Sequence, residues 1–409
     1  MAIRRVLRDL NTASIWAGVT AFIWYAFGTV PLQIAVSSQL GLDETQSSSW
    51  IFIVWFSGAV ASIVLSLLYR QPIPITWTIP GLVYLGTLAG AFTFPELVGA
   101  NLIAGVLIVI LGLIGVGEKI MTWLPLPIVM GMFGGSILGY VTRLVKAAVD
   151  DFLVAGLTIL GYMLGRAIGN PRLPPVGLAV VFGGLASFFA TDAKTDPVLW
   201  SLPALAVPDM TFSFSAFVAV SLPMVVLAMG LGNVQGLGFL MAQGYRVPTT
   251  VVTVVVGINS IINAILGGHP AITARTGVAI LAGPDAGPLL ARYWANIVAA
   301  LLTLVIALFA APLSSLFTIL PSGYVLSLAG LAILSSFQDA LEKSFGGKLK
   351  FGALVAFAVA ATPFSVGGIT SAFWAVLVGL MASFVAERKE LVDYWRESLI
   401  SGAVEPQTK

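Results

Sequence analysis

The sequence predicts an all-α polytopic membrane protein of 14 transmembrane segments, built as 7+7 inverted repeats with short strand/half-helix breaks in segments 3 and 10. Three observations carry this expectation: an apolar composition, apolar blocks of spanning length, and a matched pair of interrupted blocks. Of 409 residues, 58% are hydrophobic and 9% charged, with mean hydropathy +1.00. Soluble domains carry roughly 25% charged residues, and their surfaces need polar cover that this chain lacks.

Apolar blocks run over 14–36, 49–69, 96–116, 125–142, 150–168, 174–191, 213–231, 247–266, 290–311, 318–337, 350–362 and 369–386. Most approach the roughly 20 residues needed to cross hydrocarbon; 350–362 is short. The first follows Arg4, Arg5 and Arg8. It is too long for a signal-peptide core and lacks a small-residue cleavage site, so it reads as a span. Two further blocks, 73–90 and 269–283, are apolar but interrupted, which brings the crossings to 14.

Charge supports that number. With a cytoplasmic N-terminus, 16 of the 20 Lys and Arg fall on inside segments. Only Arg143, Lys146 and Lys194 fall outside, and Arg275 lies within a crossing. This asymmetry is the positive-inside pattern, with both termini cytoplasmic. Net charge is +2, there is no cysteine, and His269 is the only histidine. Nucleic-acid binding, disulfides, metal sites and cofactors have no support in this composition. The glycine-bearing runs GGHPAITARTG and GLGNVQGLG lack the strand–GxxxxGK[ST]–helix context of a phosphate loop. No Ser/His/Asp set is available either, so no enzyme is expected.

The interrupted blocks are third in each set of seven, and they look alike: TWTIPGLVYLGTLAG at 76–90 and AITARTGVAILAG at 271–283. A broken helix leaves backbone groups unpaired at membrane depth, which is tolerated only beside a cavity or ligand. Half-helix N-termini favour anions, and paired breaks point to a carrier's binding site. Simple Pro and Gly kinks at Pro80 and Pro270 are the structural alternative.

The breaks put Thr78, Pro80, Gly81 and Tyr84 at the head of one half-helix, and Thr273, Arg275 and Thr276 at the head of the other. With Gln33 in segment 1 and Asn233 in segment 8, these form the candidate substrate-binding set. Trp77 and Tyr84 offer faces for an aromatic ligand, or simply pack. Arg275 is costly inside a membrane and suits a bidentate anion contact. Pairing with Asp285, or reaching toward the interface, is its structural alternative. His269 and Asp285 are the candidates for carrying a coupling proton; a hydrogen-bonded histidine at a span end is the other reading of His269.

The stretches SLLYRQPIPITWTIPG (66–81), PDMTFSFSAFVAVSLP (208–223), QGLGFLMAQGYRVP (235–248), GGHPAITA (267–274) and AGPDAGPLLARYW (282–294) resemble the bacterial benzoate/proton symporters (BenE type). The resemblance covers nearly the whole chain and extends to nucleobase transporters and sulfate-permease-like carriers. It implies a core domain formed by 1–116 and 213–311, a gate domain formed by 117–191 and 312–386, an extracytoplasmic linker at 192–212 and a cytoplasmic tail at 387–409. It further implies a secondary carrier in the bacterial inner membrane, taking a small organic anion such as benzoate together with a proton. A homodimer with elevator-like motion is also implied, with Gln33 and Asn233 lining the site. His269 falls near where nucleobase carriers place an acidic residue. Two positions depart from the pattern. Segment 8 reads GLGN where the benzoate group has an ASQN-type run, so Gly232 replaces an amide, and Arg275 stands where that group has a small residue. An inorganic anion or nucleobase cargo, or an uncoupled anion channel, are the alternatives.

Overall fold

The computed structural model describes residues 9–115, 124–170, 172–190 and 200–402. The side chains of Ala190, Leu231, Arg275, Thr276, 316–319 and 398–402 fall outside that description.

The first set of seven elements begins with α1 (Thr12–Gln39) and α2 (Glu44–Tyr69). Each starts on a reciprocal cap. Ser14 N donates to Asn11 Oδ1 at 2.9 Å, and Gln46 N donates to Asp43 Oδ1 at 2.7 Å. Such caps satisfy amides that the first helical turn leaves unpaired. Next come β1 (Ile75–Trp77) with the half-helix α3 (Ile79–Thr87), then α4 (Phe94–Ile114), α5 (Leu126–Asp150), α6 (Phe152–Ile168) and α7 (Pro175–Ala190). The second set opens with α8 (Phe214–Ala242) and α9 (Thr249–Ile265). It continues through β2 (Ala271–Thr273) with the half-helix α10 (Arg275–Leu281), and α11 (Tyr293–Leu308). A short helix, α12 (Ala310–Ile319), leads to α13 (Ser322–Phe345) and α14 (Lys350–Ala361). A small hairpin, β3 (Ser365–Val366) and β4 (Ile369–Thr370), precedes α15 (Ser371–Ala386), and α16 (Arg388–Gly402) ends the described chain.

Among the described residues, seven helices are long and apolar enough to cross a membrane, and α6, α7, α9 and α14 are shorter apolar helices. With α15 and the two strand–half-helix units, they form two successive series of seven. The series are inverted copies. β1 and β2 meet as an antiparallel ribbon, Ile75 opposite Thr273 and Trp77 opposite Ala271. Matching bonds hold both strands: Ile75 N donates to Ser62 Oγ at 2.8 Å, and Ala271 N donates to Ser260 Oγ at 2.9 Å. Matching bonds also close both ribbon ends, from Thr78 N to Pro270 O at 3.1 Å and from Ala274 N to Pro74 O at 3.3 Å.

Two boundaries differ from the sequence expectation. α5 runs to Asp150 rather than stopping near 142, so Arg143 and Lys146 sit in its last turns. The block expected at 318–337 is divided between the end of α12 and α13, separated at Pro321, which cannot donate to a continuing helix. The segment expected as the tail begins with α16, bent by 109° from α15.

Most of the extensive helix contacts fall into two groups, with α13 on α1 and α12 on α2 packing across them. α4 packs on α9, and α11 packs on α1 and α2; α5 packs on α13 and α14, α6 on α7, and α14 on α15. Glycines permit the α4–α9 seam. A Cβ at Gly105 would stand 2.9 Å from Ile261, and one at Gly257 would stand 2.6 Å from Val109. Without a hydrophobic drive between helices in lipid, such close backbone approach supplies packing energy. The stretch from 200 to 213 is irregular and pinned to the first set, with Ala204 N on Ser48 Oγ, Ser49 Oγ on Ala206 O, and Thr211 N on Pro95 O.

Candidate substrate site

The site is built where the ribbon meets α1, α2 and α8. Trp77, on β1, has its ring 4.2 Å from the ring of Trp55 on α2, tilted by 36°. Tyr25, on α1, meets Trp77 edge-on, with ring centroids 6.2 Å apart. The Trp55 indole donates to Gln33 Oε1 at 2.6 Å, which fixes the amide of Gln33 on α1. Among the described residues, two donors beside this aromatic pair have no acceptor: Gln33 Nε2 and the Tyr25 hydroxyl. Gln33 is 1% exposed. Leaving a buried donor unpaired costs about 1–3 kcal/mol, so two such donors around one aromatic pair mark a place for an acceptor-rich ligand.

The half-helices differ at their N-termini. Thr78 caps α3 by accepting from Gly81 N at 3.1 Å, and Pro80 fits the first turn because that turn needs no donor from it. α10 has Ala274 at its N-cap and so no side-chain cap. A Cβ at Gly277 would overlap the Tyr25 hydroxyl, while at Gly81 it would meet Met224 Sδ at 3.0 Å. The Met224 thioether thus lies beside the first half-helix, next to its capping residue Thr78, and the Tyr25 hydroxyl lies beside the second. At its other end, α10 is closed by Arg292, which donates from Nη1 to Ala282 O and from Nε to Gly287 O, both at 2.7 Å. A cation at a helix C-terminus is favourable. This contact accounts for the AGPDAGPLLARYW run.

α8 carries two π-helical stretches, Phe217–Ser221 and Leu227–Asn233. Such stretches often mark functional positions, because they free carbonyls and re-aim side chains. The Tyr84 hydroxyl is taken up by Ala219 O in the first, so Tyr84 joins α3 to α8. Asn233 ends the second. Its Nδ2 donates to Thr253 Oγ1 at 2.9 Å, and its Oδ1 accepts from Thr273 Oγ1 at 2.8 Å. Asn233 and Thr273 thus lie beside the ribbon but are bonded to each other. The side chains of Arg275 and Thr276 fall outside the described residues. Asp285 lies exposed on a one-turn 3-10 helix beyond α10. His269 is buried, and its Nδ1 accepts from Trp50 Nε1 at 2.8 Å.

Two cavities flank the ribbon. One of about 10 Å³ is lined by Tyr25, Ser62, Thr76, Asn296 and Thr303; the other, of about 70 Å³, by Gly112, Met229, Asn233, Thr249 and Thr253. They occupy corresponding places in the two sets. Both are far smaller than the roughly 300 Å³ or more of small-molecule pockets.

Sequence reading missed Trp55, Tyr25, Trp50 and the pair Asn101 and Asn296. Both asparagines follow alanine in equivalent helices, and each reaches into the opposite half. Asn101 Nδ2 donates to Gly268 O at 3.5 Å, and Asn296 Nδ2 donates to Ser66 Oγ at 2.8 Å.

The family model for benzoate membrane transport proteins matches residues 8–385. The chain belongs to the benzoate membrane transport protein family. A curated relative from Acinetobacter baylyi, named benzoate membrane transport protein, is 25% identical over 388 residues, covering 94% of this chain and 97% of its own. Inner membrane protein YdcO of Escherichia coli (strain K12) is 27% identical over 381 residues, covering 91% and 94%. Two solved structures share the fold. The transmembrane domain of the cyanobacterium bicarbonate transporter BicA has TM-score 0.55 at 18% identity and covers 95% of this chain and 97% of that one. SLC26A9 has TM-score 0.59 at 12% identity and covers 93% and 65%. At those identities the likeness establishes the fold alone. Benzoate-family membership makes this chain a multi-span membrane transporter and not an enzyme.

Proposed function

We propose that this family member is a secondary active transporter of a small aromatic carboxylate, benzoate-like, coupled to protons and working by alternating access in the bacterial inner membrane. The observation that carries this reading is the pair of unpaired donors, Gln33 Nε2 and Tyr25 OH, flanking the Trp55–Trp77 aromatic surface. A carboxylate supplies the acceptors, and its ring supplies an apolar partner for the indoles. The start of α10, which has no side-chain cap, adds backbone amides. Family membership and the benzoate transporter of Acinetobacter support the same cargo.

In this account all 14 apolar elements cross the bilayer, with both termini cytoplasmic. Residues 1–116 and 213–311 form a core that slides against a gate of 117–191 and 312–386, in a homodimer. The two contact groups of helices support that division. An inorganic-anion cargo is the rival reading, since BicA shares the fold and is a bicarbonate transporter.

Isothermal titration of the purified protein with benzoate, cyclohexanecarboxylate and bicarbonate separates them. Benzoate binds most tightly in this account, and Gln33→Ala weakens it about 10- to 100-fold, the worth of one hydrogen bond to a charged group. Bicarbonate binding with no benzoate heat contradicts the proposal.

A further inference from the structure

His269 is the chain's single histidine, placed between α9 and β2 and completely buried. The Trp50 indole donates to its Nδ1 at 2.8 Å, with the rings edge-on at 5.5 Å and 82°. An indole N–H is a donor only. Nδ1 must therefore keep its lone pair, and the proton of the neutral ring must reside on Nε2. A second proton has only Nδ1 to bind, and there it would face the Trp50 N–H head-on.

The loop gives the ring little freedom to escape. Asn263 Nδ2 donates to His269 O at 3.0 Å, and Gly268 N donates to Asn263 O at 2.7 Å. A Cβ at Gly268 would stand 2.9 Å from Val54. The groups around the ring and its loop are Trp50 and Val54 from α2, Asn101 from α4 and Asn263 from α9. All are uncharged. Among the described residues, none of the buried side chains is Asp, Glu, Lys or Arg.

We infer that His269 is a fixed neutral anchor, protonated on Nε2 alone, which holds the loop entering β2 and does not carry the coupling proton. The chemistry of Trp50 makes this assignment. An imidazolium would need an acceptor at both nitrogens; here Nδ1 meets an opposing donor, and Nε2 is buried with no acceptor among the described residues. The inference bears on the proton-coupled reading above but does not depend on it.

Because the histidine is unique, one labelled amino acid reports on it. The full-length protein, labelled with [¹⁵N]histidine and reconstituted in lipid nanodiscs without substrate, is followed by NMR from about pH 8 to pH 5, the range in which histidine ordinarily titrates. The expected result is one unchanged pair of nitrogen signals, Nε2 protonated and Nδ1 bare. Trp50→Phe keeps the packing and removes the donor; there the ring is expected to take a second proton or change tautomer within that range. A wild-type ring that becomes imidazolium, or carries its proton on Nδ1, overturns the inference. A Trp50→Phe spectrum identical to wild type removes Trp50 as the cause and overturns it equally. Failure of benzoate transport would leave these signals untouched, so the two proposals fail separately.

Discussion

At position 232, Ile272 leaves room for nothing larger than glycine. A Cβ there would lie 2.6 Å from Ile272 Cγ2 and 2.8 Å from its Cβ, too close to relieve by turning a side-chain tip. Gly236 is in a similar position one turn later, 2.5 Å from Thr273 O. The departure GLGN from an amide-bearing run is thus a packing requirement of α8 against β2. Gly232→Ala is expected to lower the thermal stability of the detergent-solubilised protein by about 1–3 kcal/mol, the usual cost of overpacking. Adding Ile272→Ala should restore most of it, and an unchanged unfolding midpoint in the single variant would contradict the contact. Arg275→Ala tests the other departure: affinity for benzoate should fall, and unchanged affinity for every anion tried would remove Arg275 from the site. Gln33 and Asn233 were legible in the sequence because amides are rare within apolar blocks. Trp55 was not, since an indole in a span reads equally well as packing or an interface anchor. Its meaning appears only once its bond to Gln33 is known.

The repeat was legible at the level of elements, through two interrupted blocks with similar endings. Its deeper basis was present but hidden. Ser62 and Ser260 hold equivalent strands, yet they stand 12 and 10 residues before Pro74 and Pro270, so simple inspection misses the match. The charged segment after α15 folds as α16 and makes contacts of its own. At the turn that enters it, the Glu387 carboxylate accepts from Phe351 N at 2.8 Å, Gly352 N at 3.0 Å and Ser383 Oγ at 2.9 Å, placing an anion on the N-terminus of α14. Within α16, Glu390 accepts from Leu349 N, Tyr394 OH accepts from Leu126 N, and Lys348 pairs with Glu397 at 2.6 Å. The helix therefore ties together the ends of α5, α14 and α15. Glu387→Gln should lower stability by about 1–3 kcal/mol, the worth of hydrogen bonds to a charged group, with little effect on benzoate affinity. A drop in affinity without a drop in stability would place α16 in a different role.

For the whole molecule, the account requires one helix group to move against the other. The Tyr140 hydroxyl on α5 donates to Gln39 Oε1 on α1 at 2.9 Å and lies against Gly86 of α3, where a Cβ would overlap it. This contact crosses from the proposed gate to the proposed core. Tyr140→Phe is expected to change the maximal transport rate several-fold and leave substrate affinity nearly unchanged. The chain has no cysteine, so Gln39→Cys with Tyr140→Cys can be bridged by a bifunctional thiol reagent without background. Bridging should stop transport reversibly, and continued transport by the bridged protein would exclude relative motion at this seam. The most direct test of the central claim is uptake of labelled benzoate into proteoliposomes, with and without an inward proton gradient. The account predicts saturable uptake that the gradient accelerates. No uptake by demonstrably folded protein, or flux that neither saturates nor responds to the gradient, would contradict it.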